Sequence, residues 1–108
     1  EQKGNVPSNN EISSEEISII NGTSVDFYAL YLSANTSGNL GENIINGSTF
    51  GEGEELILPY ANLDTSQSLN LIVEDESGKR YIIEDFPISN GAVIEIRLNG
   101  NTLEAFVQ

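Results

Sequence analysis

The chain of 108 residues contains no cysteine, histidine, methionine or tryptophan. It therefore has no thiolate nucleophile, no imidazole base and no nitrogen or sulfur side-chain ligand for zinc, and most redox ligation is excluded. No apolar run approaches the ~20 residues that a membrane-spanning helix requires. The composition predicts a protein without a bound cofactor and without a transmembrane segment.

Positive charge is also scarce. Lys3, Lys79, Arg80 and Arg97 are the only cations, and the net charge is −13. Four scattered cations cannot form the basic stripe that follows a phosphate backbone, so nucleic acid is a poor partner. Anionic membrane surfaces are disfavoured for the same reason. We interpret the acidic surface as a solubilising coat.

The composition divides the sequence into a leader and one domain. Residues 1–14 are polar, include Gly4 and Pro7, and show no apolar periodicity. Such a segment buries too little apolar surface to offset its ordering entropy, so we expect a flexible leader. It is either a plain terminus or a tether to a cell surface. Residues 15–108 are long enough for a single domain with its own core.

A β-hairpin is predicted over residues 68–85. Alternating apolar residues flank the loop Glu76–Gly78, and Gly78 suits the left-handed last position of a three-residue loop. A slip by one residue would bring Leu71 opposite Glu84, so the apolar pattern and the turn favour one register. That register gives three opposed pairs: Leu71 with Ile83, Val73 with Tyr81, and Glu74 with Arg80.

A second hairpin is predicted over residues 92–107. A turn at 99–100 would place Glu95 opposite Glu104, two like charges. A turn at 100–101 instead places Arg97 opposite Glu104, and its first residue, glycine, suits a type II′ turn. We therefore predict the second register and an Arg97–Glu104 ion pair.

The strand predicted at residues 25–34 carries apolar groups on both faces, as a central strand does. Its periodicity also fits a helix through Tyr28, Tyr31 and Leu32, but its β-branched and aromatic residues favour a strand. About seven short strands with turn signals between them predict a single antiparallel β-sandwich, immunoglobulin-like in broad layout. The predicted core comprises Phe27, Ala29, Tyr31, Leu71, Val73, Tyr81, Ile83, Ile94, Ile96 and Leu103.

Several short motifs lie between about Ile17 and Phe106. They are Asn21–Thr23, Tyr31–Ser33, Asn39–Glu42, Gly53–Glu54, Asp75–Gly78 and Tyr81. With them the protein resembles small extracytoplasmic β-sandwich domains of bacterial and archaeal secreted proteins and lipoproteins. The resemblance implies a sandwich and an extracytoplasmic location, with a signal peptide or lipid anchor upstream of residue 1. It implies no catalytic residues.

Carboxylates cluster along the first hairpin, and calcium prefers oxygen ligands. The candidate calcium ligands are Glu74, Asp75, Glu76 and Asp85. The segment lacks the ligand spacing of an EF-hand, so a solvated hairpin tip is the competing interpretation.

Two carboxylates about 5–10 Å apart could also hydrolyse a glycoside. The eligible residues are Glu52, Glu54, Glu55, Glu74, Asp75 and Glu84, and no pair stands out.

Tyrosine rings can stack on sugars, and Tyr60, in a predicted loop, is the best candidate for a glycan contact. Tyr31 and Tyr81 are predicted to face the core. Asn21, Asn35 and Asn46 each begin an Asn-x-Thr/Ser glycosylation pattern, although Asn-Gly is better interpreted as turn chemistry.

We expect a monomeric, non-enzymatic, extracytoplasmic module that acts as a spacer or binds a protein or glycan at the cell surface. The alternatives are a carbohydrate-binding module and a carboxylate-based glycoside hydrolase.

Overall fold

The computed structural model describes residues 15–108, so the leader predicted over residues 1–14 lies outside the described residues. The described part contains seven β-strands and one short 3₁₀ turn, Tyr60–Asn62. The all-β prediction and the number of strands are confirmed. The strands are β1 Glu16–Asn21, β2 Phe27–Ser33, β3 Glu55–Pro59, β4 Asn70–Asp75, β5 Arg80–Ile83, β6 Val93–Asn99 and β7 Thr102–Val107.

The strands form two sheets that share one core. One sheet has the order β3-β1-β6-β7 and the other the order β2-β4-β5. Alternate residues of both sheets meet in a common apolar cluster, for example Ile19 and Ile94 from the first and Leu30 and Leu71 from the second, all fully buried. The arrangement is sandwich-like. No helix within residues 15–108 is long and apolar enough to cross a membrane.

Both predicted hairpin registers are confirmed. In the β4–β5 hairpin, Leu71 lies opposite Ile83, Val73 opposite Tyr81 and Glu74 opposite Arg80. Gly78 closes its loop at φ +85°. Glycine adopts this left-handed conformation at little energetic cost because it has no Cβ. In the β6–β7 hairpin, Gly100 begins the turn at φ +65° and Asn101 has no positive φ, as a type II′ turn requires.

The ion pair predicted for the second hairpin is wrong, although its register is right. Arg97 lies opposite Glu104 in the ladder. Its guanidinium instead lies over the ring of Phe106, 4.5 Å from the ring centre, and Arg97 Nη2 donates to Glu95 Oε1 at 2.9 Å. The attraction between cation and aromatic face draws the guanidinium diagonally across the strands, away from Glu104.

The prediction that all strands pair antiparallel is wrong for one pair. β1 runs parallel to β6, with Ser18 beside Val93 and Asn21 beside Ile96. The other four pairs are antiparallel. Turn signals in a sequence identify hairpins, which are antiparallel by construction, whereas β1 and β6 are far apart in the sequence and no turn joins them.

The predicted inward face of β2 is also wrong beyond its first residues. A β-bulge between Phe27 and Ala29 shifts the register against β4 and reverses the alternation. Phe27 faces the core and packs edge-on against Tyr81, with ring centres 5.9 Å apart. After the bulge, Leu30 and not Ala29 belongs to the shared core. Ala29 and Tyr31 therefore lie on the outer side of the sheet, where Ala29 is nevertheless buried, as predicted.

The face assignment of β4 can be tested by truncating a core residue. Leu71→Ala should lower the free energy of unfolding by about 2–5 kcal/mol, because it leaves a cavity at a fully buried position. Ile57→Thr is the control, since Ile57 is 52% exposed and the substitution keeps a β-branched residue. It should change stability by no more than about 0.5 kcal/mol. Urea unfolding measures both, and equal losses would contradict the assignment.

Candidate functional site

Two of the three predicted calcium ligands at the hairpin tip, Glu74 and Asp75, have other bonding partners, and the third, Glu76, is exposed. Glu74 Oε2 accepts a hydrogen bond from Arg80 Nε at 2.9 Å, and the two side chains form an ion pair. Asp75 Oδ1 accepts from the hydroxyl of Ser77 at 2.7 Å and from the backbone N–H groups of Ser77 and Lys79. These bonds stabilise the turn itself, so both carboxylates are used to shape the hairpin.

The fourth predicted ligand, Asp85, lies at the other end of the same hairpin. Its N–H donates to Asn70 Oδ1 and its carboxylate accepts from the hydroxyl of Ser68. Asn70 and Asp75 are the two ends of β4. The five residue steps between them span roughly 17 Å. Asp85 therefore does not converge with the tip. In residues 15–108 no group of three or more acidic side chains is placed to hold a metal ion.

Three carboxylates have a displaced pKa, and in each of them the pKa is lowered. A hydrogen bond from the Ser77 hydroxyl lowers the pKa of Asp75, the Ser66 hydroxyl does the same for Asp64, and a hydrogen bond from Arg97 lowers that of Glu95. A general acid for glycoside hydrolysis needs the opposite shift, which comes from burial in an apolar site. None of these three carboxylates fits that role.

Tyr60 is not the exposed aromatic that the sequence predicted. It begins the 3₁₀ turn after β3, is partly buried, and packs against the shared core. Its N–H donates to the carbonyl of Glu15 at 2.8 Å. The most exposed tyrosine is Tyr28, which follows the inward-facing Phe27 and is 46% exposed. The alternation of the sequence placed Tyr28 on the face opposite Phe27 but predicted a central strand. That prediction is wrong, because β2 is an edge strand of its sheet.

Asn21, the first of the possible glycosylation positions, is fully buried. Its amide donates to the carbonyls of Val25 and Phe50, both at 2.9 Å. Its oxygen accepts from the N–H and the hydroxyl of Thr23. All four hydrogen-bonding positions of the amide are thus used. In the folded domain Asn21 is part of a turn, as the Asn-Gly interpretation predicted, and is not available to a modifying enzyme.

A surface feature that the sequence analysis did not identify is an apolar row across the outer side of the three-stranded sheet. Tyr31, Ile72 and Ile82 lie side by side on β2, β4 and β5. We call these three residues the outer stripe. Ile72 is fully buried although it lies outside the shared core, Tyr31 is partly exposed, and Ile82 is 38% exposed. The solvent-facing side of a sandwich is normally polar, which makes this row unusual.

The charges near the outer stripe are acidic or already paired. Glu74 and Arg80 form the adjacent row of the same face and neutralise each other. Glu84, close to the stripe in sequence, is exposed. The other described cations are also engaged: Lys79 donates to Asn101 at 2.9 Å, and Arg97 pairs with Glu95. Because Asn101 is neutral, Lys79 keeps its positive charge, but the charges left unpaired in the described residues are mostly negative.

A groove of about 400 Å³ opens between the sheets where β2 and β3 approach each other. Its lining combines apolar residues with Glu42, Asn62 and Asp64. Among the described residues no aromatic ring lines it, so it offers no platform for stacking a sugar.

Comparison with known proteins places the fold and nothing finer. No protein-family model matches the sequence, and no curated protein matches it. A protein from Eubacterium rectale with an NMR structure is similar to this one, with a TM-score of 0.55 and 13% sequence identity. The similarity covers 94% of this chain and 93% of that one. At this identity the likeness shows a shared fold only.

The turn function of Asp75 predicts a specific pH dependence. Because its folded pKa is lowered, Asp75 stabilises the folded state above the ordinary pKa of about 4, and this contribution is lost as the pH falls through the folded value. Ser77→Ala removes the hydroxyl bond and should raise the pKa of Asp75, as measured by NMR titration of its carboxyl carbon.

Ser66→Ala is the matched control, because the Ser66 hydroxyl bonds to Asp64 in the same way. It should raise the pKa of Asp64 and leave that of Asp75 unchanged. An Asp75 pKa that does not move in Ser77→Ala would show that the hydroxyl bond is absent in solution.

Proposed function

We propose that this protein is a non-enzymatic, extracytoplasmic module that binds a partner protein through the outer stripe. The observation that supports this function is the stripe itself. Its central residue, Ile72, is fully buried, while Ile82 beside it is 38% exposed. A partner that covered Ile82 and Tyr31 would remove apolar surface from water. The domain's own core does not cover these two residues.

Charge complementarity defines the partner's chemistry. The cations in the described residues make hydrogen bonds or ion pairs within the domain, and Glu84, two residues after Ile82, is exposed. The partner should therefore offer apolar residues with lysine or arginine around them. Such charges would also accelerate association at low ionic strength.

We propose that the protein is not an enzyme because several candidate catalytic carboxylates already form bonds within the domain. Glu74 is paired with Arg80, Asp75 caps a turn, and Glu54 accepts from the N–H of Gly51 at 2.7 Å. The three displaced carboxylate pKa values are all lowered. These bonds support a structural function for three of the six acidic groups that the sequence offered to a glycosidase.

The extracytoplasmic location and an upstream anchor rest on the resemblance to secreted domains. An apolar secretion signal encoded upstream of Glu1 would agree with them, and a start codon directly before Glu1 would contradict them.

The immunoglobulin-like layout is proposed in its broad sense only, as seven strands divided four and three. Here the first strand lies between the third and sixth, whereas constant-type immunoglobulin domains place it in the other sheet.

Binding through the outer stripe can be tested with two closely matched variants. Ile82→Lys places a charge in the stripe and should reduce binding of the partner by at least about tenfold. Ile57→Lys is the control, because Ile57 is also an exposed isoleucine on an edge strand, but of the other sheet. Quantitative affinity enrichment from the surface fraction of the source organism compares wild type with both variants.

A protein retained by wild type and by Ile57→Lys but lost by Ile82→Lys supports the proposal. Its retention should fall as salt rises, as charge complementarity requires. If every retained protein binds Ile82→Lys as well as wild type, the outer stripe is not the binding surface.

A carbohydrate-binding module is the second candidate, favoured by the exposure of Tyr28. Under the protein-binding proposal, a glycan array and a panel of chromogenic glycosides should give neither binding nor turnover. Binding that Tyr28→Ala abolishes and Tyr60→Ala does not would favour the glycan function. Turnover that one Glu→Gln substitution abolishes would overturn the non-enzymatic proposal.

A further inference from the structure

Asn-Gly sequences are chemically unstable because the backbone nitrogen of glycine can attack the amide carbon, Cγ, of the preceding asparagine. Glycine allows this attack most readily because it has no Cβ to hinder the approach. The attack requires a glycine N–H that is not held in a hydrogen bond and an asparagine whose backbone can rotate. The described residues contain four Asn-Gly sequences: Asn21–Gly22, Asn46–Gly47, Asn90–Gly91 and Asn99–Gly100.

Two of the four pairs are protected by hydrogen bonds. The N–H of Gly22 donates to the carbonyl of Ile96 at 2.8 Å, and that of Gly91 donates to the carbonyl of Glu16 at 2.9 Å. Both bonds join β1 or its neighbouring residues to β6 or the turn before it, within the four-stranded sheet. In addition, the amide of Asn21 is buried with all its hydrogen bonds made. Reaction at either pair requires the sheet to open.

The other two pairs are open. Asn46 and Asn99 are exposed, and neither Gly47 nor Gly100 donates a backbone hydrogen bond in the part of the protein that the structure describes. They differ in how firmly the asparagine is held. Asn99 is the last residue of β6 and is paired with Thr102 across the hairpin. Asn46 lies in a loop turn, where its N–H makes a 3.2 Å bond to the carbonyl of Asn43.

We propose that Asn46 is the principal site of spontaneous deamidation in the folded protein. The nitrogen of Gly47 bonds to Cγ of Asn46, the bond from Cγ to the amide nitrogen Nδ2 breaks, and the N–H proton leaves with that nitrogen as ammonia. The product is a five-membered succinimide. Water then adds to one of its two carbonyls and opens the ring, giving aspartate or isoaspartate. The net change is one water consumed and one ammonia released.

The modification would alter the loop that covers the free edge of β2. In this loop Ile44 donates to the carbonyl of Leu30 at 2.8 Å, and Asn43 Oδ1 accepts from the N–H of Leu30 at 3.0 Å. Isoaspartate at position 46 adds a methylene group to the backbone two residues after Ile44. It also adds a carboxylate to an already acidic surface. Both changes weaken the cover on β2, which exposes an unpaired strand edge.

Peptide mapping by mass spectrometry tests the site directly. The folded protein is incubated at mildly alkaline pH and the conversion of each asparagine is followed with time. Conversion should appear first at Asn46, next at Asn99, and at least about tenfold more slowly at Asn21 and Asn90, because these two need a local opening. Asn46→Gln should remove the first product, since glutamine would have to form a larger ring.

The same incubation in urea is the control, because unfolding removes the protecting hydrogen bonds. There the four pairs should convert at similar rates. In the folded protein, conversion of Asn21 or Asn90 at the rate of the unfolded protein would overturn the proposal. So would conversion of Asn99 before Asn46, or no conversion at Asn46 over a period in which the unfolded protein reacts fully.

Discussion

The rest of the structure depends on the buried amide of Asn21. This residue ends β1 in the four-stranded sheet, just before the backbone passes to β2 in the other sheet. Its amide donates to the carbonyls of Val25 and Phe50, and its oxygen accepts two bonds from Thr23. A buried carbonyl left without a donor costs about 1–3 kcal/mol, so these bonds fix one path for the crossing. Because Phe50 also pairs with Phe27, the same amide connects the long loop to the start of β2.

The bulge in β2 lies just after that crossing and determines which residues of β2 face the solvent. Phe27 enters the core beside Tyr81, Tyr28 faces outwards, and the bulge between Phe27 and Ala29 reverses the alternation that follows. Leu30 then takes the core position, and Tyr31 takes its place on the outer side next to Ile72. The place of Tyr31 in the outer stripe is thus a consequence of one extra residue in β2. Its apolar character suits a protein partner, and this is the basis of the function that we propose.

Several acidic groups of the domain make hydrogen bonds that hold its turns. Asp75 caps the hairpin loop through the hydroxyl of Ser77, and Asp64 bonds to Ser66 in an equivalent way. Glu74 and Glu95 neutralise two of the few cations. A net charge of −13 in a protein with so few positive groups therefore has two parts. Some carboxylates hold loops in one conformation, and the remainder keep the surface negative.

The sequence alone determined the features that depend on residues close together in it. Both hairpin registers could be predicted because a glycine at Gly78 or Gly100 permits one turn geometry and the apolar alternation permits one pairing. Only the tertiary structure decided the rest. The parallel pairing of β1 with β6, the bulge after Phe27 and the burial of Asn21 all depend on contacts between residues distant in the sequence. No local propensity encodes such contacts, since their energy arises only when the two sheets have closed on each other.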